Sequence, residues 1–184
     1  MSVQPFEVTQ GIALPPLVDL QTEREVTQLL HIEAELLDQT RYVDWFNTCI
    51  AEDLEYLVPI RTTRERKPGA SEFATDSYHM RDTYNTMKSR VLRLLTEHAW
   101  AEDPASRTRR VVSNIRVEQL GVDEVLAKSY LTLYRSQWDT VDYDLILAER
   151  VDNLRKTDGR WRLTRREVFF SHTVLGTANL GVFL

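Results

Sequence analysis

The sequence predicts an α+β fold, with helices in the first part of the chain and an antiparallel sheet in the second. Apolar residues recur at helical spacing between residues 22 and 50, whereas strand-like segments separated by turns fill most of residues 109–172. Elements segregated in this way are typical of the α+β class, because alternating strands and helices would favour a parallel sheet. The chain has 184 residues and 42% hydrophobic content, which suits one domain with a sizeable core.

The first 20 residues are predicted to lie outside the packed domain. They contain three of the six prolines and show no sustained periodicity, which indicates an extended arm. We expect the arm either to stay mobile or, because several of its residues are apolar, to lie against a neighbouring subunit. The remainder, residues 21–184, is expected to form the single domain.

Two consecutive helices are predicted at the start of the domain. Thr22 and Glu25 have the spacing of a capping box, so the first helix is expected to begin at Thr22. A break at residues 38–40 separates its apolar stripe from that of the second helix. The first stripe consists of Val26, Leu29, Leu30, Glu33, Ala34 and Leu37, and the second of Tyr42, Trp45, Phe46, Cys49 and Ile50.

A strand, a loop and a third helix are predicted next. From Tyr56 to Ile60 the hydrophobic period is two, and Pro59 indicates an edge strand because proline cannot donate to a ladder. Residues 61–76 are charged and contain a Pro-Gly pair, which is typical of a loop or an exposed hairpin. Apolar residues then recur at four-three spacing, which predicts a helix that begins near residue 76 or 77. Its apolar face consists of Met80, Tyr84, Met87, Val91 and Leu94.

Four β-rich segments are predicted after the third helix, at about residues 109–119, 124–136, 141–156 and 160–172. Asp158-Gly159 has the composition of a two-residue hairpin loop, and a longer loop would change every cross-strand pair. The predicted pairs are Asp152 with Arg165, Arg150 with Glu167, Leu154 with Leu163, and Arg155 with Arg162. The last pair is tolerable only if both guanidinium groups reach solvent or another carboxylate. The whole pattern favours a strongly curved, mostly antiparallel sheet wrapped over the N-terminal helices, the cystatin-like cone.

Composition excludes several classes of protein. One cysteine cannot form an internal disulfide, and no secretion signal is recognisable at the start of the sequence. No apolar run approaches the roughly 20 residues that span a bilayer, so we expect a cytoplasmic protein with no membrane partner. The formal charge of -5 argues against a nucleic-acid partner, because phosphate binding requires a basic face.

No catalytic, metal-binding or cofactor-binding residue is predicted. The four histidines lie on different predicted elements, which disfavours a site built from two histidines and a carboxylate. Cys49 lies on the apolar stripe of the second helix, where a buried, inert thiol is more common than a reactive one. The six glycines are not clustered, so no phosphate-binding loop is indicated.

General acid-base chemistry is the main alternative, because a cone fold can hold a small molecule in a mouth lined by an acid and a tyrosine. The candidates are Asp38, Tyr42, Tyr56 and His98. Asp38 has a competing structural explanation as the cap of the second helix, and the tyrosines as core residues. Glu33, on an otherwise apolar stripe, is either a helix-edge residue or a buried carboxylate that pairs with an arginine.

The arginine-rich strand is the positive evidence for a partner protein. Arg107, Arg109 and Arg110 follow Glu102 and Asp103 closely, so they either pair internally with these residues or bind another subunit. Guanidinium groups suit both roles. Trp100 and Phe183 are expected near the surface, and interfaces are enriched in aromatic residues and arginine. These five residues are therefore the candidates for a subunit interface.

Three blocks of the sequence resemble the small, or beta, subunits of aromatic-ring-hydroxylating dioxygenases. The resemblance extends over about residues 25–184 and depends on the spacing of the blocks. One departure is visible at residues 170–172, which are less acidic and amide-rich than is usual for the family. The blocks are Glu33–Asp38 with Tyr42, Trp45, Asp53, Tyr56, Pro59 and Arg61; Ala99–Asn114; and Asp158–Leu163 with Asn179, Leu180 and Phe183.

This resemblance implies a non-catalytic subunit of a larger enzyme. In that family the large, or alpha, subunit carries a Rieske iron-sulfur cluster and a mononuclear iron, and it inserts both atoms of dioxygen into an arene. The small subunits are implied to form a trimer that supports three large subunits in a hexamer. Two alternatives stay open: an independent cone-fold isomerase or dehydratase, and a regulatory module that binds a small molecule.

Overall fold

The computed structural model describes residues 16, 18–62, 71–96, 105–139, 141–174, 176–177 and 179–184. The predicted arm, residues 1–20, lies almost entirely outside these described residues. In chain order the elements are α1 (Leu20–Asp38), α2 (Tyr42–Cys49), β1 (Ile50–Arg61), β2 (Phe73–Thr83), α3 (Tyr84–Leu94), β3 (Arg107–Gly121), β4 (Glu124–Ser136), β5 (Asp144–Thr157) and β6 (Arg160–Phe170).

The strands form a six-stranded sheet in the order β2-β1-β6-β5-β4-β3. Neighbouring strands are antiparallel except β1 and β6, which are parallel. Helix α1 packs against β3 and β6, α2 against β6 and β1, and α3 against β1 and β2. The prediction of N-terminal helices packed on a mostly antiparallel sheet is therefore confirmed.

The core lies between the helices and the inward face of the sheet. Along β4 and β5 buried and more exposed residues alternate, as expected for strands with one covered face. Trp45, Tyr56, Leu131 and Phe170 are among the large side chains that are almost completely buried there. Among the described residues, no helix combines the length and apolar character that crossing a membrane would require.

The first helix begins earlier than predicted. Asp19 is its N-cap, and the carboxylate of Asp19 accepts a hydrogen bond of 3.0 Å from the backbone N–H of Thr22. The predicted capping box at Thr22 is wrong, because Glu25 turns toward the sheet. Its carboxylate accepts from Lys156 at 2.7 Å and from the indole of Trp161 at 2.9 Å.

The third helix begins later than predicted, because residues 73–83 form β2. Met80 lies on that strand opposite Val58 of β1, and the helix starts at Tyr84 after a capping box between Thr83 and Thr86. Its extent as far as Leu94 is confirmed. The four-residue step from Met80 to Tyr84 fits a helix by coincidence, since pairing with β1 is a tertiary contact that periodicity does not show.

Strand β1 is not an edge strand, so the prediction drawn from Pro59 is wrong. The strand lies between β2 and β6, and the register with β2 shifts on both sides of Pro59. An irregular ladder of this kind tolerates a residue that cannot donate. Proline can therefore occupy this irregular part of the ladder as readily as it would occupy an edge strand.

The β5–β6 hairpin has the predicted loop but only part of the predicted register. Asp158 and Gly159 have φ values of 52° and 74°, as a two-residue hairpin turn requires. The pairs nearest the loop, Leu154 with Leu163 and Arg155 with Arg162, are confirmed. A bulge then adds Thr164 to β6, so the two predicted charge pairs are wrong. Asp152 faces Arg166, and Arg150 faces Val168.

The two arginines that face each other near the loop both find partners elsewhere. Arg155 donates two hydrogen bonds of 2.8 Å to the carboxylate of Asp53. Arg162 donates to the backbone carbonyls of Asn47 at 2.9 Å and Ile50 at 3.1 Å. The unfavourable pair is tolerated as predicted, because each guanidinium turns toward oxygen acceptors away from the other.

Candidate functional site

A cluster of four charged side chains lies buried at the centre of the fold. Glu33 of α1 accepts from both Nη groups of Arg166 at 2.8 Å and from Arg150 at 3.1 Å. Asp152 of β5 forms a bidentate pair with Arg166, with two distances of 2.7 Å. All four residues are at most 2% exposed. We call Glu33, Arg150, Asp152 and Arg166 the buried charge cluster.

Mutual pairing holds these groups in their charged forms. Burial pushes the pKa of Glu33 upward, but Arg166 and Arg150 outweigh burial and lower it to about 2. Burial pushes the pKa of Arg166 downward, but Asp152 and Glu33 outweigh burial and raise it well above its ordinary value. Burial and the nearby Arg166 lower the pKa of Arg150. Near neutral pH Glu33 and Arg166 therefore serve as fixed charges and not as proton donors or acceptors.

Asp38, the first candidate for acid-base chemistry, binds strand β3. Its carboxylate accepts from the hydroxyl of Thr108 at 2.9 Å, the backbone N–H of Arg110 at 2.8 Å and the guanidinium of Arg110 at 2.5 Å. The N-cap of α2 is Arg41, without a side-chain hydrogen bond, so the expectation that Asp38 caps this helix is wrong. Asp38 fastens the end of α1 to the sheet.

The two tyrosines among the acid-base candidates pack into the interior. The Tyr56 hydroxyl is buried, donates to the backbone carbonyl of Leu184 at 2.7 Å, and has a pKa raised by burial. The ring of Tyr42 packs edge-on against Phe183 at 5.7 Å, and His98 lies outside the described residues. These contacts are those of packed core residues.

Cys49 is buried and free, as predicted. Burial raises the pKa of its thiol to about 12, so the reactive thiolate is disfavoured. Within the described part of the chain, no group of three or more histidine, cysteine or acidic residues is arranged to hold a metal ion.

The interface candidates separate into inward-facing and outward-facing residues. Arg110 is 8% exposed and donates to Asp38 and, at 2.6 Å, to the backbone carbonyl of Phe183, which is itself 1% exposed. Arg107 and Arg109 are exposed on the other face of β3. Arg107 donates to the carbonyl of Trp138, and Arg109 to the carbonyl of its neighbour Thr108. Glu102 and Asp103, the acidic residues predicted as internal partners, lie outside the described residues. Trp100 lies outside the described residues.

Arg109 adjoins an apolar area on the sheet face that the helices leave uncovered. Tyr134 lies opposite Arg109 and Leu145 lies opposite Tyr134, while Thr132 of β4 separates Val111 from Leu147. Tyr143 packs against Tyr134 with ring centroids 5.3 Å apart. Exposed apolar residues that are contiguous commonly mark protein interfaces. We call this set the outer-face patch: Val111, Tyr130, Tyr134, Tyr143, Leu145 and Leu147, each at least 36% exposed.

A groove of about 680 Å³ continues the patch across the sheet. Tyr130 and Leu147 belong to both features, and Phe73 and Phe169 form the far wall with ring centroids 4.8 Å apart. Glu149 lines the groove as well, and Arg61 lies there with its guanidinium 5.2 Å from the centre of the Phe73 ring. The uncovered face is therefore largely apolar, with a few charged side chains around it.

Comparison with known sequences identifies the family. A sequence model described as the ring hydroxylating beta subunit matches residues 32–177, well over half of the chain. The chain belongs to this family. It is 33% identical over 176 residues to the beta subunit of biphenyl 2,3-dioxygenase from Rhodococcus jostii strain RHA1, with 92% of each protein covered. It is 32% identical over 174 residues to the benzene 1,2-dioxygenase beta subunit from Pseudomonas putida, again with 92% of each covered.

Solved structures agree with this membership. A chain of naphthalene 1,2-dioxygenase, crystallised with indole in the active site, matches with a TM-score of 0.80 and 28% identity, covering 91% of this beta subunit and 88% of that chain. A protein with a cystatin-like fold from Nostoc punctiforme matches at a TM-score of 0.56 and 16% identity, covering 86% and 98%. That second likeness shows the fold alone. The predicted cystatin-like cone and the predicted family are confirmed.

Sequence reasoning missed the buried charge cluster as a unit. Glu33 was recognised as a possible partner of an arginine, but the hairpin register paired Asp152 with the wrong arginine. The available signal was the presence of Arg150 and Asp152 two residues apart among apolar residues of one strand face, which places both inward. The bulge at Thr164, which turns Arg166 inward, carries no comparable signal.

Proposed function

We propose that this chain is the non-catalytic, structural beta subunit of an aromatic-ring-hydroxylating dioxygenase. It supports a large, or alpha, subunit that carries a Rieske cluster and a mononuclear iron and inserts both atoms of dioxygen into an arene. The observation that carries the proposal is membership of the beta subunit family over residues 32–177. The charged groups of the interior pair with one another, and the outer-face patch is exposed. Both features support a role in assembly.

The cysteine content of this beta subunit does not fit a Rieske cluster. A Rieske cluster takes two cysteines and two histidines as ligands, and the chain has one cysteine. That cysteine is buried and its thiolate is disfavoured. Its free thiol is compatible with the reducing cytoplasm, where we place the enzyme. Both iron centres are accordingly assigned to the large subunit.

Self-association into a trimer, with three large subunits completing a hexamer, is the assembly we propose. Arg107, Arg109 and the outer-face patch are assigned to the contact with the large subunit. Both arginines are exposed, and within residues 105–139 they donate to hydroxyl and backbone carbonyl oxygens. Guanidinium groups suit acidic side chains of a partner, and aromatic residues beside arginine suit an interface core. Arg110 and Phe183 support the fold from within.

Co-expression with the large subunit tests this assignment. The double variant Arg107→Ala, Arg109→Ala should leave the isolated chain folded and trimeric, because neither side chain is buried. The same variant should yield less hexamer, as measured by size-exclusion chromatography with light scattering at low and moderate salt. Arg24→Ala, an exposed arginine on α1, is the matched control and should assemble normally. Undiminished hexamer in the double variant would refute the interface assignment.

The non-catalytic role has a separate test. The purified chain alone should hold no iron by metal analysis and should not convert small carbonyl compounds. Turnover that is lost in Asp38→Asn would instead favour an independent isomerase or dehydratase. Reconstituted hexamer should hydroxylate an arene, with every iron atom recovered on the large subunit.

A further inference from the structure

Residues 179–184, which we call the tail segment, enter the interior of the cone. They form neither helix nor strand, yet Phe183 and Leu184 are 1% and 0% exposed. The ring of Phe183 lies 4.6 Å from that of Trp45 and 5.7 Å from that of Tyr42. The tail segment thus fills space between the helices and the sheet with an irregular stretch of backbone.

Four arginines from four different elements donate to backbone carbonyls of the tail segment. Because the acceptors are main-chain oxygens, these contacts recognise a peptide backbone more than a particular side chain. Buried carbonyls require such donors when no ladder or helix supplies them. The contacts are Arg135 to Asn179 at 3.1 Å, Arg90 to Leu180 at 3.4 Å, Arg110 to Phe183 at 2.6 Å and Arg166 to Leu184 at 2.8 Å.

Each of these arginines also has a carboxylate partner that lies outside the tail segment. The charges of the interior are therefore compensated whether or not the tail segment is present. If the tail segment were removed, the guanidinium groups would hydrogen-bond to water and keep their carboxylate partners. An unpaired buried charge, which would be costly, would not result. The carboxylate partners are Asp144 for Arg135 at 3.7 Å, Asp82 for Arg90 at 3.5 Å, Asp38 for Arg110 at 2.5 Å, and Asp152 for Arg166 at 2.7 Å.

We propose that the interior of the cone is a binding site for a short peptide and that the tail segment occupies this site as a ligand in cis. The arginines hold the peptide backbone, and the space beside Trp45 and Tyr42 takes an aromatic side chain. The ligand class is a short peptide that carries phenylalanine followed by an aliphatic residue. This inference concerns the chain by itself and does not depend on its role in a dioxygenase.

A cut chain tests the proposal while letting the full chain fold first. Residues 171–174 are all exposed, so a recognition sequence for a specific protease can be inserted after His172. Cutting then leaves the tail segment bound without a covalent link. A fluorescently labelled peptide of residues 173–184 is added in excess, at a urea concentration just below the unfolding transition to speed exchange. Fluorescence anisotropy reports whether the peptide enters.

The labelled peptide should bind the cut protein and raise its melting temperature in proportion to the logarithm of peptide concentration. It should not bind the uncut protein, where the linked tail segment has a high effective concentration. A peptide carrying Phe183→Ala should bind roughly a hundredfold more weakly, since a buried ring is lost. Equal binding of the two peptides, or no entry of either into the cut protein, would overturn the proposal.

The cut protein could also precipitate when the tail segment dissociates. Cutting is then repeated in the presence of excess unlabelled peptide, which should keep the protein in solution by occupying the site. The peptide carrying Phe183→Ala should protect much less at the same concentration. Precipitation to the same extent with and without the unsubstituted peptide would equally overturn the proposal.

Discussion

Replacing Glu33 by glutamine is the sharpest test of how the interior is held together. The substitution preserves the size of the side chain but removes one of the two carboxylates in the buried charge cluster. Arg150 and Arg166 then share only Asp152, and Arg150 already has one buried nitrogen, Nη2, without a hydrogen-bond partner. Two buried guanidinium groups facing one carboxylate leave a net charge in a medium that solvates it poorly.

Two independent estimates give similar losses of stability. Breaking a buried ion pair by removing one partner costs about 3–5 kcal/mol. The pKa of Glu33 falls from an ordinary 4.5 to about 2 on folding, which corresponds to about 3 kcal/mol at neutral pH. For a chain of this size, a loss of about 3 kcal/mol lowers the melting temperature by roughly 6–12 °C.

The pH dependence follows from the direction of that shift. Because the pKa of Glu33 is lower in the folded chain, its contribution to stability is complete above about 4.5 and is lost as pH falls through about 2. The difference in unfolding free energy between the natural chain and Glu33→Gln should therefore be constant from pH 7 to about 5. It should shrink steadily at lower pH, where Glu33 in the natural chain becomes protonated.

Equilibrium denaturation in urea at several pH values measures this difference. Glu35→Gln is the matched control, since Glu35 is exposed on the same helix and its carboxylate accepts from Gln39, the C-cap of that helix. It should change stability by less than about 0.5 kcal/mol. The reasoning is refuted if Glu33→Gln loses no more than this control. A difference that persists unchanged below pH 3 would refute the account of its cause.

Three other substitutions or reactions test the remaining contacts. Asp38→Asn should cost about 3 kcal/mol in urea denaturation, because the buried guanidinium of Arg110 loses its carboxylate; a loss under about 0.5 kcal/mol would contradict this. Cys49 should resist a thiol reagent at pH 8 and react quickly once urea unfolds the chain, because burial raises its pKa to about 12. Rapid reaction of the folded chain would show that the site opens. Gly159→Ala should cost about 1 kcal/mol through its φ of 74° alone, since no atom lies within 4 Å of the added carbon. Gly121→Ala, at ordinary φ, is its control in the same melting experiment.

The family and the order of helices and strands could be read from the sequence. Family membership depends on the spacing of blocks along the chain, such as Glu33–Asp38 and Asp158–Leu163, and spacing is a property of sequence. The hairpin loop at Asp158-Gly159 was predictable because positive φ at two successive residues demands that composition. Cys49 was correctly assigned to the core because its apolar neighbours recur at helical spacing.

The ends of the helices and strands, and the registers between strands, were harder to predict from the sequence. The true start of α1 depends on Asp19, whereas the capping pattern at Thr22 is the accidental one. Strand β2 is rich in polar residues, and what makes it a strand is its ladder with β1. The local sequence pattern does not show whether a segment pairs with a strand that is distant in the chain. Residues 76–83 were therefore assigned to the helix.

The candidate site shows most clearly what the sequence determines and what only the tertiary structure determines. The sequence alone determined that the chain has too few cysteines for a Rieske cluster, that its arginine-rich strand calls for carboxylate partners, and that its relatives are beta subunits. Only the tertiary structure decided which arginines are used internally, because alternation along β3 sends Arg110 inward and Arg109 outward. It also decided that Arg166 meets Glu33 and Asp152, since the added residue Thr164 reverses which side chains of β6 face the core. A bulge and a strand face are set by pairing across the sheet, and that pairing exists only once the chain has folded.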